Sequence, residues 1–154
     1  MEIMIVKGSI EYIKDCEDAL LNSELGIRYF SKKGSARRAL EDGFNKEEIY
    51  IAIDINRNCK GFIWFILGGA FHSFPYLHII AVKKENRKLG IGKKLLEFFE
   101  DICFINYTKV FLVVADFNQD AKILYEKIGY REIGIIPSLY REGITEYLMM
   151  KLRE

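Results

Sequence analysis

The stretch ENRKLGIGKK, residues 85–94, stands between an apolar run, YLHIIAV (76–82), and a segment whose apolar residues recur at helical spacing. An arginine followed by two glycines one residue apart, at the point where a helix begins, is the arrangement that accommodates an anion. The first turn of a helix leaves main-chain N–H groups without intrahelical partners, and the macrodipole adds partial positive charge there. Gly90 and Gly92 remove side chains that would hold a phosphate off the backbone, and Arg87, Lys88, Lys93 and Lys94 add positive charge at the rim. A Rossmann fingerprint would need a third glycine at 95, where the chain has Leu95. A Walker loop would need Gly at 87 and Ser or Thr at 94, where Arg87 and Lys94 stand. Taken alone, the stretch leaves two readings open: a phosphate site, or glycines that punctuate a strand-to-helix turn with a solvated lysine face.

Outward from this turn the elements alternate. Residues 3–8 read as a strand and 10–23 as a helix; 27–44 is helical in pieces with a break at Gly34. Residues 49–54 and 62–71 form a hairpin through RNCKG, and 76–82 is the next strand. Leu95, Phe99, Ile102 and Ile105 mark one face of the helix behind the glycines, and the apolar run at 110–116 reads as a buried strand. Asn118 is placed as the N-cap of a helix carrying Ala121, Leu124, Tyr125 and Ile128, which Gly129 ends. Strands at 130–136 and 145–152 close the chain around PSLYREGI (137–144). With no repeat and no linker, residues 1–154 read as one mixed α/β domain.

Composition limits function mainly by exclusion. The formal net charge is +1, so no global field favours nucleic acid or an anionic membrane. No run approaches the roughly 20 apolar residues of a membrane span, and the amino terminus lacks the basic-then-apolar order of a signal peptide. Cys16, Cys59 and Cys103 are odd in number and lack CxxC spacing, so they read as buried thiols in a reducing compartment, with no metal site. The expectation is a cytoplasmic protein.

Two separated motifs carry a resemblance. IIAVKKENRKLGIGKKLLEFFE (79–100) resembles the acetyl-CoA signature of the GNAT superfamily of N-acetyltransferases, Arg/Gln-x-x-Gly-x-Gly/Ala opening a helix behind a strand, matched at Arg87, Gly90 and Gly92. NQDAKILYEKIGY (118–130) resembles the family's second segment at Asn118, Ala121, Tyr125, Gly129 and Tyr130. The first 45 residues match only in kind. The resemblance implies a mostly antiparallel sheet, helices on both faces, and a parallel pair formed by the fourth and fifth strands that splays to hold acetyl-CoA.

It further implies that main-chain N–H groups of Lys88, Leu89, Gly90, Ile91, Gly92 and Lys93 hold the pyrophosphate, with Arg87 at the entrance. The pantetheine arm would pair with the backbone of Ile80, Ala81 and Val82 like an added strand. Asn118 and Tyr125 complete the cofactor set. An amine would attack the thioester directly, with no metal and no covalent enzyme intermediate. Tyr125 takes the position of the acid that protonates the departing thiolate; the other reading is an apolar face residue whose hydroxyl lies at the edge. His78 resembles the second of two strand histidines in serotonin N-acetyltransferase, where Tyr76 replaces the first. It reads as a base or as a packed histidine, and a water chain would serve equally. His72 borders the site in one reading, and Glu85 reads as solvated.

The acceptor is expected to be a small-molecule amine or a peptide, with the small molecule favoured over a protein N-terminus. Tyr29, Phe30, Phe71, Phe74, Tyr140, Glu142 and Glu146 lie in the elements that would line its path. A non-catalytic acyl-CoA-binding or sensing module of the same fold is the alternative. A homodimer paired through an exposed last strand is a further expectation.

Overall fold

The strands in chain order are β1 (Met4–Lys7), β2 (Ile49–Ile53), β3 (Cys59–Ala70), β4 (Phe74–Val82), β5 (Lys109–Ala115), β6 (Arg131–Ile136) and β7 (Glu146–Leu152). The helices are α1 (Ile13–Leu21), α2 (Glu24–Tyr29), α3 (Ser35–Asn45), α4 (Ile91–Asn106) and α5 (Gln119–Lys127). They are seen in a computed structural model that describes residues 1–154. The strands form one seven-stranded mixed sheet in the order β1-β2-β3-β4-β5-β7-β6. Residues group into two compact units: Met1–Phe65 with Ile79–Phe99, and Ile66–His78 with Glu100–Glu154.

In the first unit, β1 pairs antiparallel with β2, and β2 with β3 across a bulge at Ala52/Ile53. The β2–β3 turn is organised by Asp54, whose Oδ1 accepts the amides of Asn56 and Asn58, each at 2.9 Å. β3 therefore starts at Cys59, earlier than apolar patterning places it. Ile49, Ile51, Phe62, Leu20, Leu40, Leu95 and Phe99 are fully enclosed. Phe65 stacks on Tyr50 at 5.4 Å and meets Phe99 at 5.0 Å. Each such side chain removed from water contributes about 1.5–3 kcal/mol before entropy is charged against it.

In the second unit, β7 pairs antiparallel with β5 over seven residue pairs and with β6 on its other side. The last strand is thus interior, not the exposed edge expected of it, because the chain turns back from β6 and inserts beside β5. β4 and β5 are parallel, with two registered pairs, Tyr76↔Phe111 and Leu77↔Leu112. Phe71 and His72 form the β3–β4 turn with φ of 57° and 58°, closed by Ser73 N–H donating to the Ala70 carbonyl at 3.0 Å. This is a primed turn without the usual Asn or Gly, which is why the stretch reads as a longer loop in the sequence.

Two helix readings are corrected. The buried residues along α4 are Ile91, Leu95, Leu96, Phe99 and Cys103, whereas Ile105 is 73% exposed. Residues 103 and 105 lie about 200° apart around the helix, so burial of Cys103 turns Ile105 outward. Asn118 does occupy the N-cap position of α5, but its side chain makes no capping bond. The carboxyl end behaves as expected: Gly129 has φ +108° and Tyr130 N–H donates to the Tyr125 carbonyl at 2.9 Å.

Candidate functional site

The loop that leads into α4 lies in the first unit. Burial along β4 alternates strictly, so Tyr76, His78, Ile80 and Val82 share the more open face while Leu77, Ile79 and Ala81 are enclosed. After Val82, Lys83 N–H donates to the Lys60 carbonyl at 2.9 Å, and a 3-10 turn over Lys84–Asn86 lowers the buried Asn86 into the fold. Glu85 is exposed, as expected.

Arg87 is held by two main-chain carbonyls. Its Nη2 donates to the Asn22 carbonyl at 2.7 Å and its Nε to the Val82 carbonyl at 3.4 Å. The guanidinium therefore ties the carboxyl end of α1 to the exit of β4, where it also offsets the partial negative charge of that helix end. Lys88 has φ +63° and Gly90 φ +82°, so the chain between them bends through two left-handed residues before α4 starts at Ile91. Lys88, Leu89, Gly90 and Lys93 are exposed, Gly92 is half-buried and Ile91 is buried. The two glycines differ in kind. Gly90 is required by its φ, although a Cβ there would meet nothing within 4 Å. Gly92 is not required by the backbone: a Cβ would meet only Val82 Cγ2, at an ordinary 3.8 Å.

The second unit holds the titratable candidates. Tyr125, on α5, is 8% exposed; burial pushes its phenol up to about 12, so it is protonated at neutral pH. Its ring meets Tyr130 edge-on at 5.7 Å. Tyr130 donates to Glu100 Oε2 at 2.9 Å, and Lys151 Nζ reaches Glu100 Oε1 at 2.7 Å. That triad fixes the residue against which Tyr125 rests. The Asn118 side chain, half-buried at the amino end of α5, caps nothing.

His78 is half-buried, and burial holds its pKa below the ordinary histidine value of 6.5, so the imidazole is neutral at pH 7. Its ring lies 6.2 Å from that of Tyr76, whose hydroxyl is 2.8 Å from the hydroxyl of Tyr140 in the β6–β7 loop. Burial raises both phenols, and the carboxylate of the enclosed Glu146 raises them further. This tyrosine pair was not legible in the sequence, since a strand residue and a loop residue 64 positions apart share no motif. His72 and Phe71 lie at the exposed β3–β4 turn. No group of three or more His, Cys, Asp or Glu side chains is placed to hold a metal ion.

The sequence model described as Acetyltransferase (GNAT) domain matches residues 45–132, more than half of the chain and inclusive of both the glycine loop and Tyr125. The chain belongs to the GNAT family of acetyltransferases. Among relatives of this GNAT protein, an uncharacterized N-acetyltransferase of Methanocaldococcus jannaschii is 35% identical over 91 residues, 58% of each chain. A protein named N-alpha-acetyltransferase from Sulfurisphaera tokodaii is 36% identical over 72 residues, 46% of this chain and 43% of that one. The chain thus spans about half the length of the curated relatives it matches. The crystal structure of Ard1 from Thermoplasma volcanium superposes with a TM-score of 0.79, covering 100% of this chain and 99% of that one at 20% identity, a likeness of fold.

Proposed function

We propose that this GNAT protein transfers an acetyl group from acetyl-CoA to a primary amine by direct attack. The observation that carries the reading is the loop before α4: it leads into a helix start, whose first-turn N–H groups have no intrahelical partner, and keeps a glycine, Gly92, that the fold itself does not need. A Cβ at 92 is sterically permitted, so its absence is best explained by something that must approach the backbone. The residues present fit the phosphates of acetyl-CoA: Lys88, Leu89, Gly90, Ile91, Gly92 and Lys93 would hold them through amides. Ile80, Ala81 and Val82 lie past the two-pair ladder with β5 and would offer main-chain groups to the ligand's extended arm. The uncapping side chain of Asn118 is a further polar partner. Arg87 contributes by bracing the loop, given its carbonyl partners.

Bound acetyl-CoA supplies the thioester. Tyr125, protonated at working pH, donates its phenolic proton to the departing sulfur. His78, neutral by burial, is suited to take the proton of the attacking amine. The presence of a protonated Tyr125 disfavours a non-catalytic acyl-CoA sensor. For the acceptor, the name N-alpha-acetyltransferase on the Sulfurisphaera tokodaii relative brings the α-amine of a polypeptide alongside the small-molecule amine that the sequence favoured. Parallel assays on short peptides and on small amines separate the two.

A thermal-shift series with acetyl-CoA, CoA, ATP and NAD tests the ligand. At about 100 times its Kd, a ligand of the folded state adds about 2.7 kcal/mol. Stabilisation by both CoA species alone is expected; stabilisation by ATP or NAD with none from CoA would overturn the reading.

A further inference from the structure

Of the nine residues of α5, Tyr125 alone is buried, while Ile123 and Leu124 are 49% and 43% exposed. A short helix that buries one side chain has little packing of its own to fix its rotation about the axis. That rotation decides where the Tyr125 hydroxyl lies. A turn of about 10° carries a group roughly 6 Å from a helix axis through about 1 Å. Something outside α5 must therefore hold the angle.

Two ties reach the helix. Lys122, three residues before Tyr125, pairs with Glu132 of β6 at 2.7 Å and lies 4.4 Å over the ring of Tyr147 on β7. The other tie bears on the Tyr125 ring itself. Tyr130 is 2% exposed; its N–H donates to the Tyr125 carbonyl at 2.9 Å and its ring meets that of Tyr125 edge-on at 5.7 Å. At its far end the hydroxyl donates to Glu100 Oε2 on α4, and the second carboxylate oxygen accepts from Lys151 Nζ on β7. The Glu100 and Lys151 side chains are themselves only 12% and 17% exposed. Enclosing a carboxylate with an ammonium contributes little net stability against well-packed apolar side chains. What the network supplies is direction, because a hydrogen bond prefers one line of approach where apolar packing lets a ring slide.

We propose that Tyr130 and Glu100 are positioning residues for acetyl transfer: bonded to each other, they set the rotation of α5 and hold the Tyr125 hydroxyl in line with the departing sulfur. The proposal rests on the reading of Tyr125 as the acid and extends it to side chains that touch neither thioester nor amine. A misplacement of about 1 Å in a reacting group costs up to roughly 100-fold in rate. Deleting the tie leaves ring and backbone contacts in place, so the expected loss is smaller than that.

The test follows acetyl transfer as release of free CoA by the full chain, with whichever of the short peptides and small amines it accepts. Tyr130→Phe keeps the ring and deletes the hydroxyl; kcat should fall about tenfold with KM for acetyl-CoA unchanged. Glu100→Ala should match that loss, and Glu100→Gln, whose amide oxygen still accepts from Tyr130, should recover most of it. In a Tyr125→Phe background, Tyr130→Phe should cost nothing more, because no hydroxyl is left to place. Hydrogen exchange on the chain without substrate should quicken over residues 119–127 in Tyr130→Phe. Full kcat in Tyr130→Phe beside an impaired Tyr125→Phe would reduce the network to packing, and additive losses in the double variant would detach it from Tyr125; either result overturns the proposal alone. An unchanged rate in Tyr125→Phe would instead remove the acid, and with it the group that Tyr130 is said to place.

Discussion

Under the proposed mechanism Tyr125 and His78 have opposite protonation requirements, and burial suits both: it keeps the phenol protonated and the imidazole neutral. Tyr125→Phe keeps the ring against Tyr130 and removes only the proton donor. We expect kcat to fall about 100-fold, within the range of a lost general acid, with the Kd for acetyl-CoA unchanged in calorimetry. An equal rate at saturating substrates would remove Tyr125 from the chemistry. If His78 is the base, the sign follows from the base being the neutral form. Activity survives as pH falls until the depressed pKa is crossed, so the acid limb of kcat/KM should lie below 6.5 and should move in His78→Gln. An unmoved limb would assign the proton to solvent. The resemblance of the second motif to the family's segment singled out Tyr125, because its matched residues lie on α5 and at its two ends. The commitment of Arg87 to two carbonyls was not legible, since Asn22 is 65 residues away and a main-chain oxygen has no residue signature.

Among the elements, α4 and the turn before it offer the sharpest comparison. Gly92→Val places a side chain where only Val82 is near, so the variant should fold with an unchanged melting temperature yet bind acetyl-CoA at least about tenfold more weakly, ~1.4 kcal/mol. Gly90→Val should lower the melting temperature as well, because its φ of +82° is strained for a branched residue. Unchanged affinity in folded Gly92→Val would dismiss the loop as a ligand site. Element types were largely legible: alternation on β4, the break at Gly34 and the stop at Gly129 are local signals. Strand order was not. Alternation says which face of a strand is covered but names no neighbour, so the interior position of β7 had no trace in its own residues. The β3–β4 turn was hidden for the reverse reason, as Phe71 and His72 take left-handed angles usually given to other residues.

Across the whole molecule, β3, β4 and α4 each contribute residues to both compact units. Neither unit can melt without opening hydrogen bonds inside an element that the other also uses. Calorimetry should therefore show one unfolding transition whose calorimetric and van't Hoff enthalpies agree. Two resolved transitions would show the units to be independent. The near-neutral charge and absence of a long apolar helix bear on partners only by removing options.

The Arg87 guanidinium is spent on two carbonyls at the surface, and under the proposed role the loop grips its ligand with main-chain amides. Such groups belong to every residue except proline, so the side chains at 88, 89 and 93 are free to drift between species without touching the grip. An alanine scan of those positions would return almost blank. Proline at 91 or 92, in the first turn of α4, removes one N–H while suiting the backbone of a helix start, and would read the loop; at 88 or 90, where φ is positive, proline would distort it.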